Sequence, residues 1–357
     1  RRANAIAFDV REAGRKVTDP QGNIKTVPGT LKAVKAIGWY IAEYGVAQIS
    51  MNLTNIAVTP IHRAFDEVCR KADARGIRVT GSELVGLVPL KAMLDAGKYF
   101  LEKQQRSAGV AESELIRIAV KSMGLDELSP FNPSERIIEY RLKENKGAPL
   151  VNLSLSRFAD ETASESPAPG GGSISAYVGA LGASLATMVA NLSAHKKGWD
   201  DRWQEFSHWA ERGQSLKENL LKLVDADTAA FNGIMLAFGM SKATVEEKTA
   251  RKAAIQSATK QAIEIPLSVM KESAASFDLI RQMVLEGNPN SVSDAGVAAL
   301  CARTAVMGAY MNVRINASSL DDKNLVEKVI AEGKEIERRA MQSEAEILEL
   351  VNQKIAI

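Results

Sequence analysis

Residues 167–192 read PAPGGGSISAYVGALGASLATMVANL, a proline- and glycine-rich turn that runs into a stretch of small apolar residues. The apolar part, 174–192, approaches the length of a membrane span. It also carries Ser175, Tyr177, Ser184, Thr187 and Asn191 and is dense in Gly and Ala. That mixture predicts a buried helix in a close-packed bundle and no membrane partner. Ala176, Ala180, Ala183 and Ala190, with Gly179, leave room for a second helix to approach closely.

Helical patterns continue on the C-terminal side, at about 199–238, 244–284, 292–312 and 321–355. Breaks are expected at Gly198, Gly239, Gly287-Asn288-Pro289 and 316–319, and Pro266 is expected to kink its helix. Before the opening stretch, 153–164 predicts a short helix and 165–172 a loop. Residues 148–357 therefore read as an all-helical bundle domain.

Upstream the character changes at a linker over 145–149, and 1–147 reads as a small α/β domain of sheet plus helices. Residues 47–54 (AQISMNLT) alternate with period two, so they predict a half-buried strand. Thr59-Pro60 predicts a helix N-cap followed by a first-turn proline, with Ile61, Phe65, Val68, Cys69 and Ala72 facing inward. Residues 77–80 predict another strand, and Leu90, Met93, Leu94 and Phe100 another helix. Turn residues across 17–29 predict a surface loop. The chain opens Arg1-Arg2-Ala3-Asn4 in mid-helix, without an initiator Met or a leader. It is expected to be a cytoplasmic fragment, with the partner of strand 47–54 expected before residue 1.

Across 357 residues the formal charge is +2 and charged residues make up 25%, with both signs interleaved. Nothing in that balance calls for nucleic acid. Cys69 and Cys301 stand alone and suggest no disulfide framework. His62, His195 and His208 lack metal-ligand spacing, so no metal is expected.

The chemistry-bearing candidates are few. Gly170, Gly171, Gly172 and Ser173 open a helix whose unpaired N–H groups could receive an anion or a carbonyl-rich ring; a plain flexible turn is the alternative. Asp227 falls on an apolar stripe drawn by Leu216, Leu220, Leu223, Ala230 and Ile234. Burial there would raise its pKa toward a range useful for proton transfer. A structural aspartate bonded to a neighbouring helix is the alternative. Asp225 points to the opposite side and is expected to be solvated. On 291–316, Ser293 reads as an N-cap with Asp294 in the first turn. Val297, Leu300, Cys301, Thr304, Met307, Gly308 and Met311 read as the core face, with Arg303 flanking it and Asn312 and Asn316 near its end. His195-Lys196-Lys197 reads as a solvated helix end, with receipt of a glutamate tail as the alternative, and Trp199, Trp203 and Trp209 read as core or interface aromatics in preference to a ligand cage.

These residues resemble a known family. Residues 36–40 (AIGWY), 47–53 (AQISMNL), 81–90 (GSELVGLVPL) and 133–140 (PSERIIEY) resemble the C-terminal subdomain of glutamate formiminotransferase. Residues 169–173 (PGGGS), 224–231 (VDADTAAF) and 308–316 (GAYMNVRIN) resemble formimidoyltetrahydrofolate cyclodeaminase. The order matches that of the bifunctional formiminotransferase-cyclodeaminases. The resemblance implies a folate-dependent one-carbon enzyme of histidine degradation that closes 5-formimino-tetrahydrofolate to 5,10-methenyl-tetrahydrofolate with release of ammonia. It implies tetrahydrofolate as carrier substrate, often polyglutamylated, no metal, and a homo-oligomer. It makes Asp227 the catalytic residue and aligns Gly29 with a folate-contacting glycine of the transferase half. The family's N-terminal transferase subdomain has no counterpart in these residues, so formimino transfer by this chain alone is not expected. Two alternatives stay open: a methenyltetrahydrofolate cyclohydrolase of the same fold, and a non-catalytic folate-binding or assembly module.

Overall fold

A computed structural model describes residues 1–142 and 149–355. The expected linker falls on 145–149, so all of it except Pro149 lies outside the described residues. The chain divides into two compact units, Arg1–Gln104 with Ala111–Glu144, and Gln105–Val110 with Asn145–Ile357.

The first unit is the small α/β body that the sequence predicts. Helix α1 (Arg2–Val10) precedes a hairpin of β1 (Arg15–Thr18) and β2 (Ile24–Val27), then a second hairpin of β3 (Val34–Ile41) and β4 (Val46–Leu53). Both hairpins are antiparallel. Helices α2 (Ile61–Asp73), α3 (Leu90–Lys103), α4 (Glu112–Met123), α5 (Pro133–Arg136) and α6 (Ile138–Leu142) follow.

Several local expectations need correction. A partner of β4 lies within the chain: it pairs with β3, with Val34 opposite Leu53 and Ile41 opposite Val46. The expected loop at 17–29 is largely the β1–β2 hairpin. Asp19 accepts from the Gln21 and Asn23 amides, and Gly22 takes φ +85°, which turns the chain back on itself. Residues 77–80 are irregular and not a strand. Pro60 caps α2, while the Thr59 hydroxyl donates to Lys32 O at 2.7 Å instead of capping.

In the second unit every regular element among the described residues is helical. A 3₁₀ turn (Leu150–Asn152) leads to α7 (Leu155–Thr162), α8 (Gly171–Ala194), α9 (Trp203–Phe238), α10 (Val245–Glu286), α11 (Val292–Ala317) and α12 (Lys323–Ile355). Helix α8 is long and apolar enough to cross a membrane, and it is packed instead against α9, α10 and α11. The small-residue positions explain how. A methyl on Gly179 would lie 2.6 Å from Ser273 Oγ on α10, and one on Gly182 would lie 3.0 Å from Ala298 O on α11. Pro266 is accommodated inside an uninterrupted 42-residue α10.

Helix α11 starts at Val292, with Ser291 at its N-cap position but making no side-chain cap bond, so Ser293 lies in its first turn. Its buried face is also not the one expected. Ala295, Ala298, Ala299, Ala302, Ala305, Val306, Ala309 and Val313 are fully buried, whereas Val297, Leu300 and Met311 are exposed, Met311 to 60%. Helices this closely packed seat alanine at the contact and leave the larger side chains outside.

Candidate active site

The end of the glycine-rich turn and the middle of α9 meet, although the residues in contact are 54 positions apart in sequence. Ser173, in the first turn of α8, is fully buried. Its Oγ lies 3.0 Å from Asp227 Oδ2, 3.0 Å from Val224 O and 3.2 Å from Thr228 Oγ1. Gly172 is buried as well, and a methyl in place of its hydrogen would stand 2.1 Å from Asp227 Oδ1 and 2.5 Å from Asp227 Cγ. The carboxyl group therefore lies against bare backbone at the head of α8, in the space a side chain would fill.

Opposing effects act on that carboxyl. Burial pushes the Asp227 pKa above its ordinary value, and the Ser173 hydroxyl and amide pull it back by hydrogen bonding. Burial prevails. Asp227 remains half-buried, so one side of the group is reachable from solvent.

The other sequence candidates divide clearly. Gly170 is half-buried and Gly171 exposed, at a helix start that no side chain caps. The first N–H groups of a helix have no intrahelical partner, which suits a docking role. Ser173 does not, because its hydroxyl is taken up by α9. Asn312, flagged only as lying near a helix end, stands 3.3 Å (Nδ2) from where a Gly171 methyl would be, and its Nδ2 donates to Gly308 O at 2.9 Å. Gly308 is held bare by Ser175, whose Oγ would lie 2.4 Å from a methyl there. Thr228 was missed altogether; its only sequence signal is its place beside Asp227.

Asp225 is not merely solvated. Its Oδ1 accepts from the Leu150 amide at 2.7 Å and so ties down the 3₁₀ turn. Arg303 meets the carboxylate of Glu344 at 3.7 Å, and Asn316 Nδ2 donates to Ala262 O. Lys196 stacks over Trp199, 4.0 Å from the ring centre, and the three tryptophans pack against the helical core.

Gly29 belongs to the first unit, and its missing side chain has a packing cause. A methyl there would lie 2.0 Å from Arg11 O, where the chain after β2 runs against the end of α1. His62, also in that unit, is buried and stacked on Tyr99 with ring centres 4.5 Å apart.

Comparison with known proteins agrees with this division of the chain. The family model described as formiminotransferase-cyclodeaminase matches residues 154–335, and that of the formiminotransferase domain matches residues 1–143. The formimidoyltransferase-cyclodeaminase of Sus scrofa is 39% identical over 321 residues, covering 90% of this chain and 58% of the relative. The chain thus spans little more than half the length of that relative. The methenyltetrahydrofolate cyclohydrolase of Methylorubrum extorquens is 38% identical over 181 residues, which is 51% of this chain and 87% of that protein. The crystal structure of formiminotetrahydrofolate cyclodeaminase from Thermotoga maritima superimposes with a TM-score of 0.51 at 27% identity, over 57% of this chain and 98% of that one.

Proposed function

The chain belongs to the formiminotransferase-cyclodeaminase family, and from that membership we propose that it closes 5-formimino-tetrahydrofolate to 5,10-methenyl-tetrahydrofolate with release of ammonia. The observation that carries the reading is the Asp227 carboxyl, held partly dry against Gly172 and Ser173 with one side open. Folate N10 attacks the amidine carbon and forms the new C–N bond. The tetrahedral carbon then holds N5, N10 and an amino group. The Asp227 carboxylate takes the proton from N10 and returns it to the amino group, which leaves as ammonia. A carboxyl whose pKa is raised by burial suits that relay, because its neutral form is easier to reach than an ordinary carboxylate's. Holding N5 and N10 at attacking distance supplies much of the remaining acceleration. The N-terminal amides of α8 at Gly170 and Gly171 are assigned to docking the folate. Tetrahydrofolate is the one-carbon carrier and substrate.

A second reading has its own support. The Methylorubrum extorquens relative, of which this chain covers 87%, is named a cyclohydrolase, which would direct water at the same one-carbon centre. The match of residues 1–143 to the formiminotransferase domain favours the deaminase, because such a domain would supply a formimino group. The deciding assay supplies 5-formimino-tetrahydrofolate and 5,10-methenyl-tetrahydrofolate separately to the purified chain. Ammonia release from the first should dominate. Hydrolysis of the second with no ammonia from the first would establish the cyclohydrolase instead.

A second copy of the chain is the partner proposed for the apolar stripe that α11 presents outward through Val297, Leu300, Met311 and Ile315. Neighbouring α8 adds Leu181, Met188 and Leu192. Two helices bearing uncharged exposed stripes can be paired with themselves about a two-fold axis. Leu300→Glu combined with Met311→Glu should shift the species seen by light scattering to the monomer mass. An unchanged mass for that double variant would clear this face of any role in assembly.

A further inference from the structure

We infer that Ser173 is the positioning residue of the Asp227 carboxyl: its single hydroxyl proton turns between Asp227 and the Val224 carbonyl and so supports both charge states of the acid. This rests on the reading of Asp227 as the proton relay. The geometry sets the choice. Ser173 Oγ lies 3.0 Å from each of two acceptors, Asp227 Oδ2 and Val224 O, and one hydroxyl proton cannot serve both at once. When Asp227 is a carboxylate, Ser173 donates to it. When Asp227 is protonated, the acid donates to Ser173 Oγ and the serine proton moves to Val224 O. That carbonyl lies inside α9 and has the helical amide bond in either state, so it tolerates gaining or losing the serine. Both states are then fully hydrogen-bonded. A backbone N–H could not do this, because it only donates and so favours the anion alone.

Burial keeps Ser173 from any other task, since the residue is wholly enclosed. Its neighbours leave Asp227 to it. Only burial and Ser173 shift Asp227, no charged side chain does, and Asp225 of α9 is bonded to the Leu150 amide. Thr228, on α9 itself, shares the Ser173 hydroxyl at 3.2 Å. The serine bond to a carboxylate is charge-assisted, and the bond from the neutral acid is not. Removing the hydroxyl therefore harms the anion more and moves the carboxyl pKa further up.

The test is Ser173→Ala in the full chain, assayed for ammonia release from 5-formimino-tetrahydrofolate across pH. Expected are a fall in kcat of about tenfold, a KM within about twofold, and an acid limb displaced to higher pH. A ¹³C titration of the Asp227 carboxyl should move in the same direction. A rise in KM with kcat and the acid limb unchanged would mean that Ser173 serves folate docking, and the proposal falls. Ser173→Cys, close in size and a weak hydrogen bonder, gives the same readouts if the alanine chain does not fold. Asp227→Asn measured alongside separates the two claims. Full turnover in that variant removes Asp227 from the mechanism and the positioning role with it. Lost turnover there, with Ser173→Ala unchanged in profile and titration, overturns only the serine proposal.

Discussion

Asp227→Asn should release ammonia from 5-formimino-tetrahydrofolate about 10²–10⁴-fold more slowly than the wild-type chain, the usual contribution of one general acid–base group. The substitution keeps the side chain's shape, with one oxygen replaced by an NH2 that donates and does not accept. The amide oxygen can still accept from Ser173, and a cooperative helical melt is expected to persist. What disappears is a group that can take a proton from one nitrogen and give it to another. That interaction belongs to the transition state, so kcat should fall with little change in KM. Stability provides an independent check with a definite sign. Burial holds the proton on Asp227 to a higher pH in the folded chain than in the unfolded one. Between those two pKa values the unfolded state binds fewer protons, so wild-type stability declines as pH rises through that window. It is fully present below the ordinary carboxylate range. The asparagine chain lacks this decline, and the stability difference between the two should move in its favour with rising pH. Near-normal turnover in Asp227→Asn would take this carboxyl out of the reaction.

How much of this was legible beforehand depends on what each signal measures. Asp227 stands out in the sequence as an acid on an apolar stripe, and periodicity along one helix is a local property. Leu216, Leu220 and Val224 do form the buried line that leads to it. The helices of the second unit were legible for the same reason, with limits close to those observed. Helix α11 shows where that reading breaks down. Hydropathy places its largest hydrophobic residues in the core, but the core face is mostly alanine. Hydropathy ranks Val, Leu and Met above Ala, whereas the contact between close helices is decided by size. The same limit applies at the site. Nothing near Gly172 in sequence says that its missing side chain makes room for a carboxyl from α9, or that the Ser173 hydroxyl lies against Asp227 and Val224. In the first unit, strand β3 escaped because Ala36 points inward while Ile37 and Tyr40 face out. Its Gly38 is pressed by α1, where a methyl would lie 2.3 Å from the Ala3 carbonyl carbon.

Gly172→Ala carries the second large effect, because it sets stability and activity against each other. Gly172 lies in the first turn of α8 at a helical backbone conformation, so alanine suits the backbone and stabilises by roughly 0.4–1 kcal/mol through the less free unfolded chain. The new methyl would nevertheless start 2.1 Å from Asp227 Oδ1, 2.5 Å from Cγ and 2.6 Å from Oδ2. No carbon–oxygen contact is stable at such distances. The atoms in the way belong to the end of a side chain with two free torsions, so the carboxyl yields and the helices stay in place. It must move by about 1 Å or more to restore a normal contact, away from Ser173 and toward water. Misplacing a reacting group by that much costs on the order of 10²-fold in rate. The expected result is a melting temperature equal to or above that of the wild type, with ammonia release down about 10²-fold or more. Gly233→Ala is the matched control on α9, since a methyl there meets nothing within 4 Å. It should gain the helix propensity and keep its turnover. If Gly172→Ala turns over as fast as that control, the seat at the head of α8 has no part in aiming the carboxyl.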